Sequence, residues 1–200
     1  MKNLIINVHS IIPYTQANGP GMRTAIWFQG CVLNCPGCYN PQTRSTEPNR
    51  LFSVDAVYER IDFAVRKCLP DDLVQGITIS GGEPFRQPAG LLGLLQRIRG
   101  ESDLSILVFS GFTLSEIAQQ PHGDDILRHI DTLIAGRYQS GLGRGMGLIG
   151  STNQRIHLLT DRYRLSDIIK TPASEVIIDR NGHVTFTGIF QWASRKEHAD

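Results

Sequence analysis

Three of the four cysteines fall within eight residues, in Gly30-Cys31-Val32-Leu33-Asn34-Cys35-Pro36-Gly37-Cys38-Tyr39-Asn40, spaced C-x3-C-x2-C. No other feature restricts the chain as much. Three thiolates on one short loop can bind three corners of a cubic iron–sulfur cluster. The fourth iron then has no protein ligand nearby and can take a small molecule, whereas a four-cysteine cluster mainly carries electrons. Two other readings stay open on spacing alone. A structural zinc site wants a fourth Cys or His close by. Asn34, Tyr39 and Asn40 are poor zinc ligands, and the nearest histidines are His9 and His122. The third reading is a disulfide with one spare thiol.

Length and charge narrow the class around this loop. At 200 residues the chain is expected to be a single domain with a sizeable core. An apolar fraction of 40% and a charged fraction of 20% suit a soluble globular protein. Twenty basic against nineteen acidic residues give a net charge of +1, so nothing points to nucleic acid or an anionic membrane. The apolar run in Met1–Asn7 is too short for a signal peptide, and no stretch approaches the ~20 apolar residues of a membrane span. The expected compartment is the cytoplasm, where thiols stay reduced and available to iron. Cys68 falls on the apolar face of a predicted helix and reads as core filling.

Taken in order, Leu4–Ile12 reads as an edge strand or lead-in and Gln16–Gly21 as a turn-rich loop. Thr24–Gln29 reads as the first core strand, delivering the cysteine loop at its C-terminal end, and polar Gln42–Asn49 continue that loop. Ser53 caps a helix whose apolar positions run from Val54 through Ile61 to Cys68, with Pro70 at its exit. Strands follow at Gly76–Ser80, Leu104–Phe109 and Thr132–Ala135. Helices are predicted around Leu91–Ile98, Thr113–Gln120 and Asp124–Ile130. This repeat of strand, loop and helix argues a parallel sheet. Four such units cannot close an eight-stranded barrel, so a curved partial barrel is expected. Gly141–Gly150 carries five glycines and reads either as a flexible surface loop or as a lid. Arg155–Leu159 is a further strand candidate. Ser174–Ile178 and His183–Thr187 flank Asp179-Arg180-Asn181-Gly182, a hairpin signal, and the polar end from about Trp192 is expected to fray.

Two further motifs carry chemistry. Gly81-Gly82-Glu83-Pro84 directly follows a strand, and its glycines let the backbone approach a ligand closely. Carbonyls beside a carboxylate make an acceptor-rich corner suited to an ammonium group; the plain alternative is a turn with a solvated Glu. The histidines show no paired spacing and read as ordinary surface or core residues. No Ser-His-Asp set or phosphate loop competes.

The cysteine spacing is similar to that of the radical S-adenosylmethionine (SAM) enzymes. The lead-in Gly19-Pro20-Gly21-Met22-Arg23 and Phe28-Gln29-Gly30-Cys31 resembles that of the activases of glycyl radical enzymes. The run Cys35-Pro36-Gly37-Cys38-Tyr39-Asn40 looks like the activases of anaerobic ribonucleotide reductase. The likeness continues through Ser80–Pro84, Ser110-Gly111-Phe112 and Gly150-Ser151-Thr152-Asn153-Gln154-Arg155, in order, over about 15–157.

That resemblance implies a partial (βα) barrel over about 15–157, followed by a C-terminal extension over about 158–200 that carries the hairpin. It implies a [4Fe-4S] cluster on Cys31, Cys35 and Cys38, whose open iron chelates the amino and carboxylate groups of SAM. Reductive cleavage of SAM would give a 5′-deoxyadenosyl radical that takes a glycine hydrogen from a partner enzyme, most like anaerobic ribonucleotide reductase. A flavodoxin-like or other low-potential donor would supply the electron. Gly81, Gly82 and Glu83 would hold the SAM amino group. Tyr39 would contact adenine or pack over the cluster. Ser110 would bond the ribose or carboxylate, or cap the next helix. Arg137 would pair with the SAM carboxylate, or make a surface ion pair. Arg23 would serve the partner or fix the Gly-Pro-Gly loop. The rival readings are a radical SAM enzyme acting on another peptide or small molecule, and a non-catalytic iron–sulfur or zinc module.

Overall fold

The computed structural model describes residues 4–67 and 74–189. Cys68, Pro70 and the end from Trp192 lie outside the described residues, so the expectations placed on them are not addressed. The strands are β1 (Ile5–Thr15), β2 (Arg23–Phe28), β3 (Arg50–Ser53), β4 (Gly76–Gly81), β5 (Ser105–Ser110), β6 (Thr132–Ala135), β7 (Arg155–Leu158), β8 (Ser174–Ile178) and β9 (Val184–Gly188). The helices are α1 (Val54–Lys67), α2 (Pro88–Glu101), α3 (Leu114–Ala118), α4 (Gly123–Leu127) and α5 (Leu165–Ile169). Seven strands form one sheet in the order β3-β1-β2-β4-β5-β6-β7, and β8 and β9 form a separate hairpin.

The four middle strands are parallel: β2 pairs with β4, β4 with β5 and β5 with β6. Their residues are almost continuously buried, the pattern of strands covered on both faces. The expected parallel sheet is therefore its centre, but its flanks are antiparallel. β1 pairs antiparallel with β2 and with β3, and β7 with β6. Leu4–Ile12, read as an edge strand or a lead-in, is instead part of the inner strand β1. The edge on that side is β3, a strand not foreseen, whose last residue is Ser53, the expected helix cap.

Alternation across the sheet separates two layers. Ile26, Ile79, Val108 and Leu133 face α1 and α2, meeting Val57, Ile61, Leu91 and Leu95 in the main core. Leu107 and Ile134 point the other way and meet Leu148 and Ile168 in a smaller cluster. Each fully buried aliphatic side chain contributes about 1.5–3 kcal/mol. Helix α1 starts where predicted, with the Ser53 hydroxyl accepting from Ala56 N at 3.1 Å, Asp55 in its first turn and Arg66 and Lys67 in its last. Helix α5 was not foreseen, because five residues are too few to show a period.

The glycine-rich stretch Gly141–Gly150 is tied down rather than loose. Leu148 is buried in the smaller cluster, Gly145 N bonds Ile149 O at 3.1 Å, and Gly150 N bonds the Gln154 side chain at 2.9 Å. The hairpin forms as its Asn-Gly turn predicts, with Asp179 Oδ1 accepting from Asn181 N at 2.8 Å and His183 N at 2.9 Å.

Candidate functional site

Parallel pairing brings the C-terminal ends of β2, β4, β5 and β6 to one end of the sheet, where open α/β sheets place their ligands. The cysteine loop leaves β2 there and is pinned along its stem. Gly30 N bonds Thr43 O at 2.8 Å, Cys31 N bonds Arg44 O at 3.1 Å, and Gln29 Nε2 bonds Ser45 O at 2.7 Å. Cys38 N bonds Cys35 O at 3.3 Å, and the Cys38 sulfur accepts from Asn40 N at 3.4 Å. All three cysteines are free and half-buried, alternating with exposed Val32, Asn34 and Pro36. Burial pushes the Cys31 thiol up, against a backbone hydrogen bond from Leu33 that pulls it down.

The turn after β4 is locked to this loop. Gly82 N bonds Phe28 O at 2.8 Å and Glu83 N bonds Gly30 O at 2.9 Å. The N–H groups at Gly82 and Glu83 are thus spent on the cysteine strand, and the turn has acceptors left to offer. Only glycine serves here. A Cβ on Gly82 would strike Gly30 O and stand 2.9 Å from Thr43 O, and Gly81 has φ +111°.

Glu83 is wholly buried and not solvated. Its Oε1 accepts from the Ser110 hydroxyl at 2.9 Å and Phe85 N at 3.1 Å, and its Oε2 accepts from Gly111 N at 2.7 Å. Ser110 also accepts from Phe112 N at 3.0 Å, so it braces its own loop. Burial outweighs these three donors and raises the Glu83 carboxyl to about 7. A carboxyl that binds its proton more tightly when folded stabilises the fold fully below its unfolded value. That contribution fades as pH rises through the folded one. Between pH 4.5 and 7.5 wild-type stability is therefore expected to fall, relative to a Glu83→Gln variant, by on the order of 3 kcal/mol. Urea unfolding across that range measures it, and parallel profiles would contradict the assignment. Glu83→Gln should also be less stable at neutral pH by about 1–3 kcal/mol, because its amide NH2 must face the N–H of either Phe85 or Gly111.

Cys31, Cys35, Cys38, Tyr39, Gly81, Gly82 and Ser110 line one pocket of about 610 Å³. Its floor includes Trp27, Ser80 and Phe109, on the sheet face opposite α1 and α2. The structure therefore gathers seven of the nine residues expected at the cluster or SAM. Glu83 stands behind the wall. Arg137, read as a partner for a SAM carboxylate or as a surface ion pair, lines a neighbouring recess, where it pairs with Glu116 at 2.9 Å and lies over the Phe112 ring. It lies two residues past the end of β6, with Gly136 between, and there it turns toward α3. In this conformation no three His, Cys, Asp or Glu side chains among the described residues stand together as a metal site. The donor set still suits a cluster: three free thiols on one loop, facing one pocket.

Sequence reasoning missed several lining residues. Tyr138 packs against Tyr39 with ring centroids 4.6 Å apart. Thr185–Ile189 of the hairpin also reach the pocket. Neither carries a motif; only the fold brings them in. Gln154 and Asn153 act as ties, with Gln154 Nε2 bonding Gly136 O at 2.9 Å and Asn153 Nδ2 bonding Arg137 O at 2.8 Å.

A family model described as a 4Fe-4S single cluster domain matches residues 17–157. The anaerobic ribonucleoside-triphosphate reductase-activating protein of Vibrio cholerae is 33% identical over 162 residues, covering 78% of this chain and 99% of its own. The protein of that name from Escherichia coli K12 is 34% identical over 162 residues, covering 77% of this chain and 99% of its own. Among solved structures, QueE from Escherichia coli aligns with 56% of this chain and 57% of its own at 16% identity, with a TM-score of 0.44.

Proposed function

This chain belongs to the 4Fe-4S single cluster domain family, among the radical SAM enzymes of the glycyl-radical-activase type, and from that premise we propose that it installs a glycyl radical on a partner enzyme. The partner we propose is anaerobic ribonucleotide reductase. One observation carries the reading: three free thiols, the Gly81-Gly82 turn and Ser110 line one pocket at the C-terminal ends of parallel strands. We read the strand and helix units as a single domain built on a partial barrel of the radical SAM type.

Cys31, Cys35 and Cys38 would hold the [4Fe-4S] cluster by closing their side chains on it. When bound, cluster and SAM would supply one-electron reductive cleavage of the sulfonium and the radical chemistry directed at a partner's glycine. Every other task falls to this chain. Gly81 and Gly82 would offer their carbonyls to the SAM ammonium. Glu83, a layer behind, adds charge; an ammonium at the turn favours its carboxylate form and displaces its proton. Ser110 and Gly111 hold that carboxylate in place. Tyr39, backed by Tyr138, offers a ring to the adenine. Val32, Asn34 and Pro36 form the exposed outer side of the loop, where a flavodoxin-like or other low-potential donor would approach. No helix among the described residues is long and apolar enough to cross a membrane. A reducing cytoplasm keeps the thiols available.

The test is anaerobic reconstitution with iron and sulfide, followed by SAM and a reductant. Methionine and 5′-deoxyadenosine should form in equal amounts. A reconstituted cluster that leaves SAM intact would contradict the reading.

A further inference from the structure

The hairpin lies beyond residues 17–157, the part matched by the family model, yet it borders the pocket. Its two faces differ. One is an anchor. Thr187 is buried and its hydroxyl accepts from Asn18 Nδ2 at 2.7 Å, while Glu175 Oε2 accepts from Gln16 N at 2.9 Å. These bonds fix the hairpin to the loop that precedes β2.

The other face is apolar. Val176 stands opposite Phe186 and Ile178 opposite Val184, so all four side chains emerge on the same side. They are exposed by 43%, 56%, 68% and 43% in that order. The cross-strand pairs make a contiguous patch, and a patch of this kind marks an interaction surface. Phe186 links the patch to the chemistry, because it also lines the pocket of the three cysteines.

We propose that this face docks the protein substrate, gripping apolar side chains that flank the glycine entering the pocket. The inference rests on the function proposed above. A backbone glycine offers no side chain to recognise, so the segment around it must be held by its flanks. The occupant is argued from position: one strand, β9, supplies both pocket wall and patch. Whatever covers the patch therefore reaches the pocket mouth. The patch carries no charge, and the chain has a net charge of +1, so contact is apolar rather than steered. A hairpin outside the family match would thus set which partner is accepted, leaving the shared cofactor chemistry unchanged.

The experiment compares wild type with Ile178→Glu and Val176→Glu, both reconstituted, using an anaerobic ribonucleoside-triphosphate reductase as the protein substrate. SAM cleavage without the reductase should match wild type in each variant. The reductase concentration giving half-maximal radical should rise about tenfold or more. Unchanged half-saturation overturns the proposal. So does a variant that loses thermal stability with normal half-saturation, since the face would then cover this chain itself. A dimer that dissociates in the variant with normal half-saturation overturns it in favour of a self-contact. Absence of SAM cleavage in wild type would instead be a failure of the proposed function.

Discussion

Replacing Cys31, Cys35 or Cys38 by Ala is expected to abolish cluster retention after anaerobic reconstitution, while Cys68→Ala retains it. The first three share one pinned loop and one pocket. Cys68 lies thirty residues further on by sequence number and shares neither the loop nor its spacing. Removing one of three thiolates leaves two protein ligands for a cluster that needs at least three, so the effect should be close to all-or-none. Iron and sulfide per chain and the visible charge-transfer absorption are the readouts. A Cys68→Ala protein without iron, beside a Cys35→Ala protein with its full complement, would reverse the ligand assignment.

Arg23→Ala is expected to be strongly destabilising. Arg23 is wholly buried at the start of β2, at the opposite end of the parallel strands from the cysteine loop. Neutral acceptors hold it: Nε bonds Thr78 Oγ1 at 2.8 Å, Nη2 bonds Ile77 O at 2.6 Å, and Nη1 bonds Ser105 Oγ at 2.9 Å. Nη1 also reaches Pro20 O at 3.2 Å and the Tyr163 hydroxyl at 3.0 Å, so it fixes the Gly-Pro-Gly loop and does not face a partner. Burial lowers its pKa, which says the charge is costly there, and Ala would relieve that cost. The loss is larger. Several buried acceptors would be stripped of their donor, at about 1–3 kcal/mol each, and a cavity would open. The net cost should be about 3–5 kcal/mol, lowering the urea midpoint by about 1 M or more. Lys should rescue only part, because it lacks the planar fork. An unchanged midpoint in Arg23→Ala would mean the hub contributes nothing.

What could be read from the chain followed its periodicity and its spacing. The parallel strands, α1 and the hairpin were legible because burial on both faces, a 3–4 repeat and an Asn-Gly turn each leave a local trace. The inner position of β1 was not legible. A strand's neighbours are chosen by tertiary pairing, and β3 is too short to announce itself. Cys31, Cys35, Cys38 and Gly81-Gly82 stood out in the sequence by their spacing and their glycines, and the structure brings them to one pocket. Tyr138 and the hairpin lining did not stand out, since they reach the pocket through the fold alone. Arg137 had two readings open to it, because a cation just past a strand end can turn either way, and here it pairs with Glu116 on α3. Glu83 was placed at the right turn, but the sequence could not show it buried behind Ser110 and Gly111.

The central claim is best tested by electron paramagnetic resonance on a partner. The reconstituted protein is incubated anaerobically with SAM, a reductant and an anaerobic ribonucleoside-triphosphate reductase. The account predicts a doublet radical signal on the reductase, formed with cleavage of SAM and collapsing when the glycine Cα carries deuterium. Vigorous SAM cleavage with no radical on the reductase would contradict it.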